Sequence, residues 1–123
     1  MRRILLDANV PSGLLHHLPS FEVKTAYRMG WSRLTNGDLL AAAEADGFEV
    51  LITGDRNIQY QQNLTGRRIA IVELSTTHAE TVVENAALIE QALQTIEAGA
   101  YVEIQLPRPK LRRRPYPRED EDA

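Results

Sequence analysis

The sequence predicts an α/β domain built on a parallel or mostly parallel sheet. Three observations lead there. Five short runs, at 3–6, 21–26, 48–53, 68–74 and 101–106, are continuously apolar or alternate with period two. Helix start and stop signals fall between most of them. The chain has 123 residues and 13.8 kDa, with 43% apolar and 25% charged side chains, which suits one compact domain with a short tail.

The first run, Arg3 to Leu6, stops at Asp7, as a buried strand bounded by a polar residue does. Pro11 suits a first helical turn, Leu14, Leu15 and Leu18 give that helix an apolar side, and Pro19 ends it. Phe21 to Ala26 alternates, as a half-buried strand does. After a loop through Met29, Gly30, Trp31 and Ser32, Thr35 is a good N-cap for a helix from Gly37 to Asp46, with Asp38 in its first turn and Gly47 closing it. Leu39, Leu40 and Ala43 point inward.

Phe48 to Thr53 is strand-like and ends at Gly54-Asp55; residues 56–63 are polar, with room for a short helix. Arg68 to Leu74 is the fourth strand. Thr77 with Glu80 forms a capping box for a helix whose stripe is Val82, Ala86, Ile89, Leu93 and Ile96, and Gly99 ends it. Tyr101 to Leu106 alternates as a last strand, a pattern that also suits an edge hairpin. Crossovers are expected to be right-handed. The domain is thus 1–106. Residues 107–123 hold four prolines and ten charges and are expected to be disordered.

Several function classes are excluded. With no cysteine there is no disulfide, zinc–thiolate site, iron–sulfur cluster or thiol catalysis, and the expected compartment is the cytoplasm. The apolar run before Asp7 is only three residues long, too short for a signal peptide, and no stretch approaches the roughly 20 residues needed to span a bilayer, so no membrane partner is expected. Residues 1–106 carry 8 basic and 13 acidic side chains, a net −5 that argues against nucleic-acid binding through a broad basic face. The tail, net +2, is basic from Arg108 to Arg118 and acidic from Glu119 to Asp122. It suits phosphate tracking, docking on an acidic partner, folding back on the acidic body, or simple solvation.

In an open parallel sheet, ligands bind outside the carboxyl ends of the strands. Asp7 and Asp55 both occupy such positions, and Asp38, opening a helix entered from a strand-end loop, can join them. Hard oxygen donors without nearby histidine or cysteine suit Mg²⁺ or Mn²⁺, and a divalent cation relieves carboxylate repulsion. Plainer roles stand beside this one: Asp38 as a helix-start carboxylate, Asp7 and Asp55 as turn residues. His16, His17 and His78 have no metal-ligand spacing, and Trp31 suits a loop anchor in the core better than a base-stacking platform. Phosphate-binding glycine loops and nucleophile elbows are missing.

The opening Ile4-Leu5-Leu6-Asp7-Ala8-Asn9-Val10-Pro11 resembles that of short PIN-like domain proteins, relatives of PIN-domain ribonucleases often found as toxins in bacterial toxin–antitoxin pairs. The likeness continues through Met29-Gly30-Trp31, Asn36-Gly37-Asp38-Leu39-Leu40 and Val50-Leu51-Ile52-Thr53-Gly54-Asp55, covering about residues 2–75 well. It implies a Rossmann-like three-layer α/β/α sandwich with strand order 3-2-1-4-5. It implies Mg²⁺ or Mn²⁺ at Asp7, Asp38 and Asp55 as catalytic residues, with Asn9, Thr53, Arg56 and Asn57 beside them. Two departures bear on activity. Ala8 stands where the family commonly has Glu, and Asp55-Arg56-Asn57-Ile58 replaces a common Asp-x-Asp-Phe, which lowers the number of anionic oxygens for a hard cation.

The expected function is therefore a metal-dependent ribonuclease, the toxin of a toxin–antitoxin pair. In it the metal activates water for attack on a phosphodiester, and Arg56 contacts the phosphate. The alternative is a PIN-like protein with a degraded site that binds a protein partner such as an antitoxin. A third expectation is a homodimer formed through the helix 78–98 or the last strand.

Overall fold

A computed structural model describes residues 1–56, 58 and 67–107. Asn57 and the tail beyond Pro107 lie outside these residues, as does most of the stretch 56–63.

The elements run β1 (Arg3–Leu6), a 3-10 helix (Ser12–His17), β2 (Glu22–Thr25), α1 (Asn36–Ala45), β3 (Val50–Thr53), β4 (Ala70–Leu74), α2 (Ala79–Glu84), α3 (Ala86–Thr95) and β5 (Tyr101–Ile104). The five strands form one all-parallel sheet, so the last run is a parallel strand and not a hairpin arm. Burial follows the sequence pattern. The mainly apolar β3 and β4 are buried throughout, while the alternating β2 and β5 are the half-exposed edges.

The strand order corrects the one implied by resemblance: it is 2-1-3-4-5 and not 3-2-1-4-5. The register shows why β1 and β3 are neighbours. Ile4, Leu5 and Leu6 pair with Val50, Leu51 and Ile52, so the two most apolar runs bury one another in the sheet centre.

Each face carries its own core. Ile4, Leu6, Ile52 and Val72 face Leu14 and Leu18 of the 3-10 segment and Val82, Ile89 and Leu93 of α2 and α3. Leu5, Leu51 and Ile71 face Leu39, Leu40 and Ala43 of α1, together with Ile58. The arrangement is a three-layer α/β/α fold. The connections β1 to β2 and β4 to β5 step in opposite directions along the sheet yet cross on the same face, so their hands are opposite. The expectation of uniform right-handed crossovers fails for one of them; a shared apolar cluster between the 3-10 segment and α2–α3 holds both on that face.

Helix ends differ in detail from expectation. The segment after Pro11 is a 3-10 helix because Pro19 pulls Leu18 out of helical geometry after six residues. The Thr35 hydroxyl makes no cap bond to the backbone and donates instead to Asp38 Oδ2 at 3.2 Å. His78, not Thr77, caps α2: its Nδ1 accepts from Thr81 N at 3.3 Å. The expected single helix 78–98 is two helices meeting at Asn85, whose side chain donates to Thr81 O at 2.8 Å. The predicted stripe nonetheless faces the core at every position. Gly47 and Gly99 end α1 and the α3 connection with φ of +90° and +77°, where a side chain is strained. Among the described residues, no helix is long and apolar enough to cross a membrane.

Candidate functional site at the switch between β1 and β3

In the order 2-1-3-4-5 the chain leaves β1 toward one edge and returns on its other side as β3. The carboxyl ends of these two strands frame the crevice where open α/β sheets bind ligands. Asp7 follows β1 and continues the ladder, its N–H donating to Ile52 O at 2.9 Å, which sets it opposite Thr53 at the end of β3.

Thr53 is fully buried, and its hydroxyl has two partners. It donates to Asp7 Oδ2 at 2.7 Å and accepts from Asp55 N at 3.0 Å. The other Asp7 oxygen accepts from Ala8 N at 2.7 Å. Asn9 Oδ1 accepts from Gly54 N at 3.1 Å and ties the loop after β1 to the loop after β3. One hydroxyl thus links the Asp7 carboxylate to the Asp55 backbone, with Asn9 as a cross-brace.

Asp38 stands outside this linkage. It is exposed in the first turn of α1, on the same side of the sheet, and its carboxylate accepts from Thr35. That fits the plainer helix-start role. Arg56 is exposed, and its Nη2 donates to Ser75 O at 2.8 Å, which lays the guanidinium along the rim between β3 and β4. Among the described residues, no group of three histidine, cysteine, aspartate or glutamate side chains is placed to hold a metal ion. Asn57 lies outside the described residues.

The structure adds Glu73, which sequence reasoning passed over. Register pairs Thr53 with Glu73 and Glu73 with Glu103, so Asp7, Thr53, Glu73 and Glu103 form one row across four strands at the carboxyl end. Glu73 is only 6% exposed, and the Tyr101 hydroxyl donates to its Oε1. Burial, more than any other influence, pushes the Tyr101 phenol well above its ordinary range. The hydrogen bond to Glu73 and the charges of Glu73, Glu103 and Asp55 add to it. The signal in the sequence was a lone carboxylate inside the apolar run Ile69 to Leu74.

A cleft of about 520 Å³ opens beside Asp7, within the usual size range of ligand pockets. It is lined by Asp7, Ala8, Asn9, Val10, Pro11 and Ser12 on one side, by Thr25, Tyr27 and Ser32 on another, and by Thr77 and Ala79. Trp31 is not part of it. Its ring is partly buried and meets Phe48 edge-on at 6.0 Å, the core anchor the sequence suggested.

A second cavity of about 290 Å³ lies at the opposite, amino end of the strands, near Arg2, Phe48 and Arg68. Glu44 on its wall accepts from the backbone N–H groups of Arg68 and Ile69, which makes this region a structural clamp.

Compared with known proteins, the chain matches no family model, no curated protein and no solved structure.

Proposed function

We propose that this chain is a metal-dependent ribonuclease of the PIN-like type, working at the crevice between β1 and β3. The observation that supports it most is the Asp7–Thr53–Asp55 linkage at the switch of a parallel sheet. The donor set fits a small hard cation: Mg²⁺ keeps much of its water and takes one or two carboxylates plus substrate phosphates. Asp7, Asp55 and Asp38 are the residues that would hold it.

The bound cation would supply an activated water and charge stabilisation at the leaving oxygen. The chain's own contribution is positional. Thr53 fixes one oxygen of Asp7 and Ala8 N the other, so the carboxylate enters the reaction already oriented. Arg56, anchored on Ser75, presents a cation on the same rim for a phosphate oxygen. Asn9 holds the two loops at a fixed separation. Membership of a toxin–antitoxin pair is supported by the sequence resemblance alone.

Mn²⁺ titration by calorimetry, on the wild type and on Asp7→Asn, tests the site without a guess about the RNA. Binding at micromolar to sub-millimolar affinity, lost in the variant, together with Mg²⁺-dependent cleavage of RNA, is the expected result. A folded wild-type protein that takes up no Mn²⁺, with or without RNA present, overturns it.

The second reading, a PIN-like protein that acts by binding an antitoxin-like partner, has its own support. Among the described residues no group of three carboxylate or histidine side chains is placed to hold a metal ion, and Ala8 is exposed on the cleft. Full function in cells of the Asp7→Asn, Asp55→Asn double variant favours it over the nuclease. Self-association along the β5 edge or α2–α3 is a separate proposal, checked by light scattering at high concentration.

A further inference from the structure

Tyr27 is 79% exposed, one of four large apolar side chains left in solvent among the described residues, and of these four it alone lines the cleft beside Asp7. A tyrosine held in water on the wall of a concave site gains contact area only when something flat covers it. Its position is built and not incidental. Ala26 N donates to Leu6 O at 2.8 Å and Trp31 N to Ala26 O at 2.8 Å, so the loop carrying Tyr27 is tied at both ends, next to the end of β1. Trp31 anchors the same loop in the core. Val10 and Pro11 put apolar surface in the same cleft, and Asn9 and Asp7 put polar edges there.

We infer that Tyr27 is a stacking platform for a nucleobase of single-stranded RNA, seated in this cleft so that the adjoining phosphodiester lies at Asp7. This rests on the ribonuclease reading for the fate of the phosphodiester, but the stacking itself needs no metal. Charge favours the same occupant. Arg28 and Arg33 on the Tyr27 loop are exposed and have no ion pair among the described residues, so the loop carries two cations for the sugar–phosphate chain. Residues 1–106 are net acidic, which argues against affinity through a broad basic face on the domain. Base stacking is a sequence-tolerant source of affinity that an acidic domain can use. A duplex buries its base faces and offers the ring nothing to stack on.

The test is fluorescence anisotropy of a labelled, unstructured oligoribonucleotide about 8 nucleotides long, near the lower site sizes of single-strand binders. It uses the full chain in EDTA, so that neither metal nor cleavage contributes. Tyr27→Ala should weaken binding about 5- to 150-fold, the range set by one stacked base. Tyr27→Phe and Tyr27→Trp should stay close to wild type, because the face and not the hydroxyl does the binding. The duplex of the same sequence should bind more weakly than the single strand.

Unchanged affinity in a folded Tyr27→Ala overturns the inference, as does equal affinity for the duplex or no RNA binding by folded wild type. A parallel Mg²⁺ cleavage assay separates the two readings. Tyr27-dependent binding without cleavage overturns the nuclease and keeps the platform. Cleavage with Tyr27-independent binding does the reverse.

Discussion

Thr53 donates its hydroxyl proton to Asp7 across the boundary between β3 and β1, at 2.7 Å, from a fully buried position. The same oxygen accepts the Asp55 N–H at 3.0 Å. One side chain therefore orients the acid after β1 and the turn after β3. Valine has nearly the same shape and neither capacity. Thr53→Val should cost about 1–3 kcal/mol by stranding the Asp55 N–H and releasing Asp7. Thr53→Ser should recover most of it. Denaturant unfolding of both variants checks this, and equal stability of Val and Ser would show that the hydroxyl contributes nothing.

Gly54 meets Thr77 too closely to carry a side chain. A Cβ placed on Gly54 overlaps Thr77 Cγ2. Gly54→Ala should destabilise by about 1–3 kcal/mol, as overpacking does. Thr77→Ser removes the offending methyl and should restore much of the loss in the double variant. The measured quantity is the coupling in a double-mutant cycle, expected near 1 kcal/mol or more for groups in contact. Additive single effects would place the Gly54→Ala cost in the backbone and not in the contact.

Tyr101 ties protein stability to alkaline pH. Its phenol is raised far above the ordinary value near 10, first by burial and then by the Glu73 carboxylate it bonds. A raised native value means that the unfolded chain loses the proton first. The stabilisation is fully present below about pH 10 and declines as pH rises toward the native value. Tyrosinate absorbance should show one tyrosine that stays protonated until the fold opens. Tyr101→Phe should abolish that lag, and at neutral pH should cost about 1–3 kcal/mol by leaving buried Glu73 without its donor. A Tyr101→Phe protein with an unaltered alkaline unfolding curve would refute the assignment.

Much of the fold was legible in the sequence. Strand runs ending at Leu6 and Thr53, the stripe from Val82 to Ile96, and the glycines at 47 and 99 all carried their meaning locally, through period and φ. Strand order was not legible, because it depends on which apolar run pairs with which. Ile4 facing Val50 is a long-range choice that no window contains. The site was half legible. Asp7, Thr53 and Asp55 announce themselves as strand-end residues, whereas Asp38 turned out to share its carboxylate with Thr35. Glu73 and Tyr27 were missed for opposite reasons. Glu73 sat inside an apolar run and was absorbed into the strand. Tyr27 sat in a loop, where only the fold shows that its ring is uncovered beside Asp7.

Glu44, at the other end of the sheet, is expected to make stability sensitive to acid. It lies in α1, and its carboxylate accepts the N–H groups of Arg68 and Ile69 just before β4, with Arg67 Nη1 3.9 Å away. The Arg68 N–H bond does most to lower its pKa; burial opposes, and the Ile69 bond and the two arginine charges assist. A lowered native value means that the unfolded chain binds the proton first. The stabilisation is present above the ordinary glutamate range, near 4.3, and is lost as pH falls through the native value. Both N–H groups bond Oε2, so Glu44→Gln keeps an oxygen for them but not the charge. It should cost less than Glu44→Ala, for which about 1–3 kcal/mol is expected from two stranded backbone donors. Both variants should flatten the acid limb of stability against pH, because the group that titrates there is gone. An acid limb as steep in Glu44→Gln as in the wild type would assign acid unfolding to other carboxylates and leave Glu44 a neutral brace.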